Sequence, residues 1–342
     1  MNETTSNFEL PPLEWTLIKI VQSAIFSGVI VSTVIGNFIA LWAFFRYPKD
    51  LRSPTHYFLA NLALADFLVG VLSLPYLAVF SVTLRWYFGH WWCIGWTVGH
   101  FWFCSSSILS TLAVCVERFI GVRYPLKHLR MMNTRTILSM ICGVWVLAGI
   151  LSALPLAIWP ETRSEKPLDC KVNLRTGHVV VASVGIFHLP ATAMVILYGG
   201  IYRAATAPMK QMREISTQNA KEQRSKQVRL AKKLSFLVGF LIISYLPMFS
   251  VFLALGFDPT FCSLEFFILL AWLRYFNSTV NPVIYAFSVP GYKRAFRAMF
   301  CSRSGSDDGQ SGRNEMNNSS STYTSNASMK RSTREKTRTT DA

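Results

Sequence analysis

Seven residues in this sequence place expensive polar chemistry among apolar neighbours: Asn37, Asp66, the adjacent Glu117 and Arg118, Arg274, Asn277 and Asn281. On insertion scales a charge at mid-membrane costs roughly 2.5–3.5 kcal/mol, so groups in such positions point to function. Pro190, Pro247 and Pro282 accompany them, each able to interrupt the hydrogen-bond ladder of a helix. Three kinds of machinery could use such a set: an ion pathway, an intramembrane enzyme, or a movable polar core. A transporter would show internal repeats, and the two ends of the chain share no such pattern. An enzyme needs a nucleophile beside its base, or metal ligands in register. The six histidines (His56, His90, His100, His128, His178 and His188) form no ligand-spaced pair, so no catalysis is expected.

The elements that must hold these groups are apolar blocks. With 51% hydrophobic and 15% charged residues, the 342-residue chain has too little polar surface for water to be its natural solvent. A helix needs roughly 20 mostly apolar residues to cross a hydrocarbon core of ~30 Å. Seven blocks meet that length: Trp15 to Phe45, Pro54 to Val82, Trp91 to Gly121, Arg135 to Ala157, Thr176 to Ala204, Gln227 to Leu255 and Leu264 to Ser288. They are apolar nearly all round and do not alternate as barrel strands must. The expected fold is an all-α membrane protein, a seven-transmembrane helix bundle with a short amphipathic eighth helix.

Charge fixes the expected orientation. Of 34 Lys and Arg, 27 fall between Arg46 and Arg52, Arg118 and Arg135, Arg203 and Lys233, or after Tyr292. Six lie on the opposite side (Lys19, Arg85, Arg163, Lys166, Lys171 and Arg175), and Arg274 is inside a span. Positive residues stay cytoplasmic, so the N-terminus is expected outside and the C-terminus inside a multi-pass plasma-membrane protein. The net charge of +16 thus reports topology and attraction to anionic membrane lipid; no basic stretch is interleaved with stacking aromatics, and no nucleic acid is expected as partner. The first fourteen residues are polar and the first apolar block is full length, so the first helix is expected to direct its own insertion without a cleavable signal.

Four segments follow. Residues 1–14 are an extracellular N-terminus with a glycosylation acceptor at Asn2; the same pattern at Asn277 lies within a span, where no glycan can be attached. Residues 15–288 are the seven-transmembrane domain. Residues 289–301 form a membrane-surface helix, with Tyr292, Phe296 and Phe300 on one face, closed by Cys301, either a palmitoylation site or an idle thiol. Residues 302–342 are a Ser/Thr-rich cytoplasmic tail without the apolar residues to fold alone, open to receptor kinases and arrestin. The inner loop from Ala205 to Lys226 has a periodicity that extends spans five and six into the cytosol.

A set of motifs, each in the right span and order, gives the chain a resemblance. They are Gly36-Asn37, Leu62 to Asp66, Glu117-Arg118-Phe119, Trp145, Phe187 to Pro190 with Tyr198, Tyr245-Leu246-Pro247, and Asn281-Pro282-Val283-Ile284-Tyr285. From about residue 15 to 301 the sequence resembles the rhodopsin-like G-protein-coupled receptors. That resemblance implies an extracellular small-molecule ligand and a heterotrimeric G protein as partners. It also implies a disulfide between Cys93 and Cys170, and a sodium ion held by Asp66, Ser107, Asn277 and Asn281; a plain hydrogen-bonded cluster is the alternative. No other cofactor is implied. Arg118 is expected to be held at rest by Glu117 and released to the G protein when span six swings outward, with Tyr198 and Tyr285 bracing the open state and Tyr245, Pro247 and Pro282 belonging to the same activation set.

Departures from the family pattern matter as much. Gln227 stands where an acid often completes the clamp on Arg118, so the second part of that clamp is expected to be missing, which predicts appreciable ligand-free activity, and Tyr245 replaces the usual Trp below the pocket. Trp272, Tyr275, Asn277, Ser278 and the run Arg118 to Leu126 look most like aminergic receptors, with adenosine receptors second. An amine-like ligand is the resulting expectation. His100, however, replaces the amine-binding Asp, Phe252 replaces the amide-recognising Asn, and Tyr275 occupies the Schiff-base Lys position. The expected pocket is lined by Trp96, His100, Phe101, Cys104, Ser183, Met248, Phe249, Phe252, Ala271, Arg274 and Tyr275. Two roles stay open for Arg274: to meet an anionic or carbonyl group of the ligand, or to reach inward to Asp66. His100 is either a donor to the ligand or a satisfied helix-facing residue.

Overall fold

The computed structural model describes residues 13–158, 170, 175–206 and 218–301. The expectations for Asn2, for the tail beyond 301 and for most of the second outer loop lie outside those residues. Helices α1 (Leu13–Arg46), α2 (Pro54–Leu72), α3 (Leu74–Thr83), α4 (His90–Arg123), α5 (His128–Met131) and α6 (Thr134–Ile158) come first. After them come α7 (Thr176–Val180), a π-helix (Val181–His188), α8 (Leu189–Thr206), α9 (Gln218–Leu255), α10 (Leu264–Ser288) and α11 (Pro290–Cys301). No strand occurs among the described residues. Spans one to seven are α1, α2 with α3, α4, α6, α7 through α8, α9 and α10. Helix α4 packs against α2, α6, α8 and α9 and so holds the centre of the bundle. These helices, through the first turns of α11, belong to one compact unit ending at Phe296.

Burial is inverted relative to a water-soluble protein. Trp91, Phe236, Ile243 and Phe287 point outward, while Asn37, Asp66, Glu117, Arg118 and Arg274 are enclosed. An exposed apolar surface of that extent requires lipid around it. Six described helices are long and apolar enough to cross a membrane. Helix α10 has the length but not the apolarity, because Arg274, Asn277 and Asn281 lower it, and all three are buried against the other spans.

Prolines set the irregularities. The second span, expected as one block, breaks at Ser73 because Pro75 lacks the N–H that a continuing helix would need. Ahead of Pro190 the fifth span widens into the π-helix, where the Leu189 N–H reaches back to the Val184 carbonyl. In α10, Pro282 cannot donate to the carbonyl of Ser278; the Asn37 side chain donates to it instead, at 3.0 Å, and to Thr33 O at 2.9 Å. Gly36 permits this approach, since a Cβ there would stand 3.1 Å from the Pro282 ring. The Gly36-Asn37 motif is thus the answer to the missing N–H of Pro282, one helix away. Helix α9 begins at Gln218, nine residues before the expected start at Gln227, so span six does continue beyond its apolar block.

Helix α11 corrects one expectation. Tyr292 is fully buried beneath span seven, its ring 5.4 Å from Tyr285 and 5.8 Å from His56, while Phe300 is exposed. The three aromatics therefore do not share a lipid face. Gly291 carries the approach: a Cβ there would lie 2.6 Å from both the Asp50 carbonyl and the His56 ring. Replacing Gly291 with Ala should destabilise the protein by about 1–3 kcal/mol through overpacking. Thermal unfolding of the purified variant checks this, and an unchanged midpoint would show that the surface helix is not seated there.

Candidate functional site

Three polar clusters run down the interior. The innermost surrounds Arg118, which is 2% exposed. Its Nε donates to Glu117 Oε2 at 2.5 Å, its Nη2 meets Glu117 Oε1, and its Nη1 donates to Gln227 Oε1 at 2.7 Å. Gln227 therefore does close the clamp, through a neutral amide, which corrects the expectation of a missing second contact. Glu117 is held further by Thr55 Oγ1 at 3.3 Å and by His128 Nε2 at 2.7 Å, from the first turn of α2 and from α5. Neither Thr55 nor His128 was anticipated. The chain's turn at Pro125 gave the only hint, because it brings the segment after Leu126 back under the bundle. The hydroxyls of Tyr198 and Tyr285 are buried without a partner in this arrangement.

The middle cluster centres on Asp66, fully buried. It accepts from Ser107 Oγ at 2.9 Å, Ser278 Oγ at 2.8 Å and Asn281 Nδ2 at 2.6 Å. Ser278 thus stands where Asn277 was expected. Residues 277 and 278 both fall on the face of Asn281, at helical spacings of four and three, so spacing could not choose between them. The Oδ1 atoms of Asn277 and Asn281 are buried and unpartnered. Carboxylate and carbonyl oxygens of this kind suit a hard cation. A separate relay ties three spans together: Trp145 Nε1 donates to Asn61 Oδ1 at 2.9 Å, and Asn61 Nδ2 donates to Ser110 Oγ at 2.7 Å.

The outer cluster lies below the bridge between Cys93 and Cys170, whose Cα atoms are 5.8 Å apart. A cavity of about 60 Å³ is lined by Trp96, His100, Phe101, Met248, Phe249, Phe252, Ala271 and Arg274, as expected, and by Leu77, Thr97 and Phe267, which were missed. Cys104, Ser183 and Tyr275 do not line it. Ser183 turns its hydroxyl to the Phe249 carbonyl at 2.8 Å, while Cys104 and Tyr275 are fully buried behind the wall. Tyr245 packs against Phe187 and Phe249, 6.0 Å from each, while those two rings lie 5.1 Å apart, so its altered side chain still packs as an aromatic. Above the small cavity a wider one, about 380 Å³, is bounded by Leu77, Trp86, Trp96, Cys170, Leu255 and Phe267.

Arg274 is 2% exposed and does not reach Asp66. Helix side chains lean toward the N-terminal end of their own helix, and in α10 that is the end nearer Cys170 and away from Asp66. Arg274 Nη2 lies 2.9 Å from His100 Nε2, and its guanidinium sits 4.5 Å from the Tyr275 ring centre. Because a guanidinium only donates, Nε2 must accept, which assigns the His100 proton to Nδ1, facing the Tyr275 hydroxyl. His100 is accordingly a satisfied, neutral residue.

Residues 36–285 match the family described as 7 transmembrane receptor (rhodopsin family). The alpha-1A adrenergic receptor of Homo sapiens is 30% identical over 329 residues, spanning 86% of this chain and 70% of that receptor. Its counterpart in Oryzias latipes is 29% identical over 337 residues, with 87% and 70% covered. A probable G-protein coupled receptor, No9, of Amphibalanus amphitrite is 34% identical over 203 residues, 57% of this chain and 42% of its own length.

Replacing Asn61 with Ala should leave the half-buried Trp145 Nε1 unpaired, at a cost of about 1 kcal/mol. Thermal unfolding should report it, and a Trp145→Phe change in the same background should recover part of the loss. No recovery would mean that the relay contributes nothing beyond packing.

Proposed function

This chain belongs to the rhodopsin family of seven-transmembrane receptors, which are receptors and not enzymes, and from that premise we propose that it couples an extracellular small molecule to a heterotrimeric G protein. The observation that carries the reading is the closed lock on Arg118, gripped by Glu117 from its own helix and by Gln227 from α9. Moving the inner end of α9 away breaks the Gln227 contact and opens the cleft that a G protein would enter. Tyr198 and Tyr285, whose hydroxyls lack partners now, have bonds to make in that second arrangement. An outside ligand need only favour it: about 5.5 kcal/mol of differential binding carries a population from 1:99 to 99:1.

In this reading the N-terminus and Asn2 face outward, the tail beyond Cys301 meets kinases and arrestin, and Cys301 carries a palmitoyl group at the membrane surface. The name of the adrenergic relatives suggests an amine-like ligand. The neutral His100 beside a guanidinium gives a protonated amine no counter-ion, and that speaks for a different class. Asp66, Ser107, Asn277 and Asn281 would hold sodium, and the two orphaned amide oxygens support that set. Sodium, when bound, supplies the counter-charge for Asp66.

Nucleotide exchange on reconstituted G proteins tests the lock. A neutral amide grips Arg118 less firmly than a carboxylate, so the unliganded receptor should promote measurable nucleotide exchange on the G protein, and Gln227→Glu should reduce that rate roughly 10-fold, as one extra charge-assisted interaction would. A basal signal in cells equal to that of mock-transfected cells would count against the lock's weakness. Titrating sodium should slow exchange in the unmutated receptor and leave Asp66→Asn unaffected; a salt response common to both would leave Asp66 as a plain hydrogen-bonded cluster.

A further inference from the structure

We infer that the outer pocket takes an amphipathic organic acid, with its carboxylate on Arg274 and its apolar body in the wider chamber above. This rests on the receptor reading and goes further by naming the ligand class. Three observations carry it. Arg274 is a permanent cation, 2% exposed, and no acid lies within ion-pair distance of it among the described residues. Its named neighbours are a neutral imidazole and two aromatic faces, Tyr275 at 4.5 Å and Phe249 at 5.9 Å, and its Nε has no partner. A buried charge so placed lacks compensation that a bound carboxylate would supply.

The shape of the space agrees. The chamber touching Arg274, about 60 Å³, admits a head group but not a whole ligand, whereas the outer chamber, about 380 Å³, falls in the usual range for small-molecule pockets. They share the walls Leu77, Trp96, Phe267 and Ala271, so one molecule can occupy both. Those shared walls are apolar or aromatic, and no acid lines either chamber among the described residues. An ammonium group would therefore lie unpaired beside a guanidinium, which excludes amines and disfavours zwitterionic amino acids.

The test uses the full-length receptor in lipid nanodiscs without G protein. Its thermal midpoint is followed against ω-phenylalkanoates of graded chain length and against the amine and primary amide of each skeleton. Acids should protect at concentrations roughly 10- to 100-fold below the amides, the value of one charge-assisted interaction, and amines should not protect. Arg274→Gln should erase the preference. Should that variant fail to fold, His100→Asp places a carboxylate against Arg274 and should abolish acid protection without creating an amine site. Equal protection by amides or amines, no protection by any acid, or an acid preference that survives Arg274→Gln or His100→Asp would each overturn the inference. Because coupling is not read here, acid binding without nucleotide exchange would overturn only the receptor reading.

Discussion

Hydrocarbon offers no hydrogen bonds, and that single deficiency organises this molecule. Every polar group inside the spans must be answered by another span, so each such group becomes a fastening between helices. Pro282 withdraws one donor from α10, and Asn37 of α1 replaces it. Asp66 of α2 draws in α4 through Ser107 and α10 through Ser278 and Asn281. Asn61 links α2 to α6 and α4. Lipid-facing apolar contacts cannot discriminate one helix from another, since tails are as apolar as leucine. The polar contacts can, and they fix which helix stands beside which.

The same logic explains what could be read from the sequence. Blocks of apolar residues and the placement of Lys and Arg gave the spans, because length and charge act through the bilayer, without reference to neighbours. The polar core was legible wherever expense alone marked it, as at Asp66 and Asn281, whereas Ser107 came only from the family resemblance. What could not be read is which of two equally placed side chains makes the bond. Ser278 and Asn277 differ by one position on the same helix, and only packing decides between them. His128 lay outside every span and acquired a role only when the chain turned back beneath Glu117. Cys104, Ser183 and Tyr275 were placed at the pocket by their position along the helices, yet other side chains line the cavity. Arg274 was visible as an anomaly, but its choice of His100 over Asp66 depends on the lean of a side chain along its helix.

The inner and outer clusters share an element without sharing a contact. Helix α9 lines the pocket with Met248, Phe249 and Phe252, and the same helix supplies Gln227 to Arg118. Pro247 lies between the two and removes one rung from the ladder there. The Ser183 hydroxyl reaches the carbonyl of Phe249, itself in the cavity wall, which fastens the fifth span to α9 near the pocket, and the long inner portion of α9 meets that span again where Arg224 donates to the Ala204 carbonyl.

That portion is a lever of unequal arms. Helix α9 runs 38 residues from Gln218 to Leu255. At 1.5 Å per residue the stretch before Pro247 is roughly 44 Å long, against about 12 Å beyond it. A tilt of about 10° at the proline would displace the far tip by roughly 8 Å, while the short arm moves by only about 2 Å. Small adjustments among packed aromatics would thereby be magnified mechanically, and the length of the helical extension beyond the apolar block sets the gain.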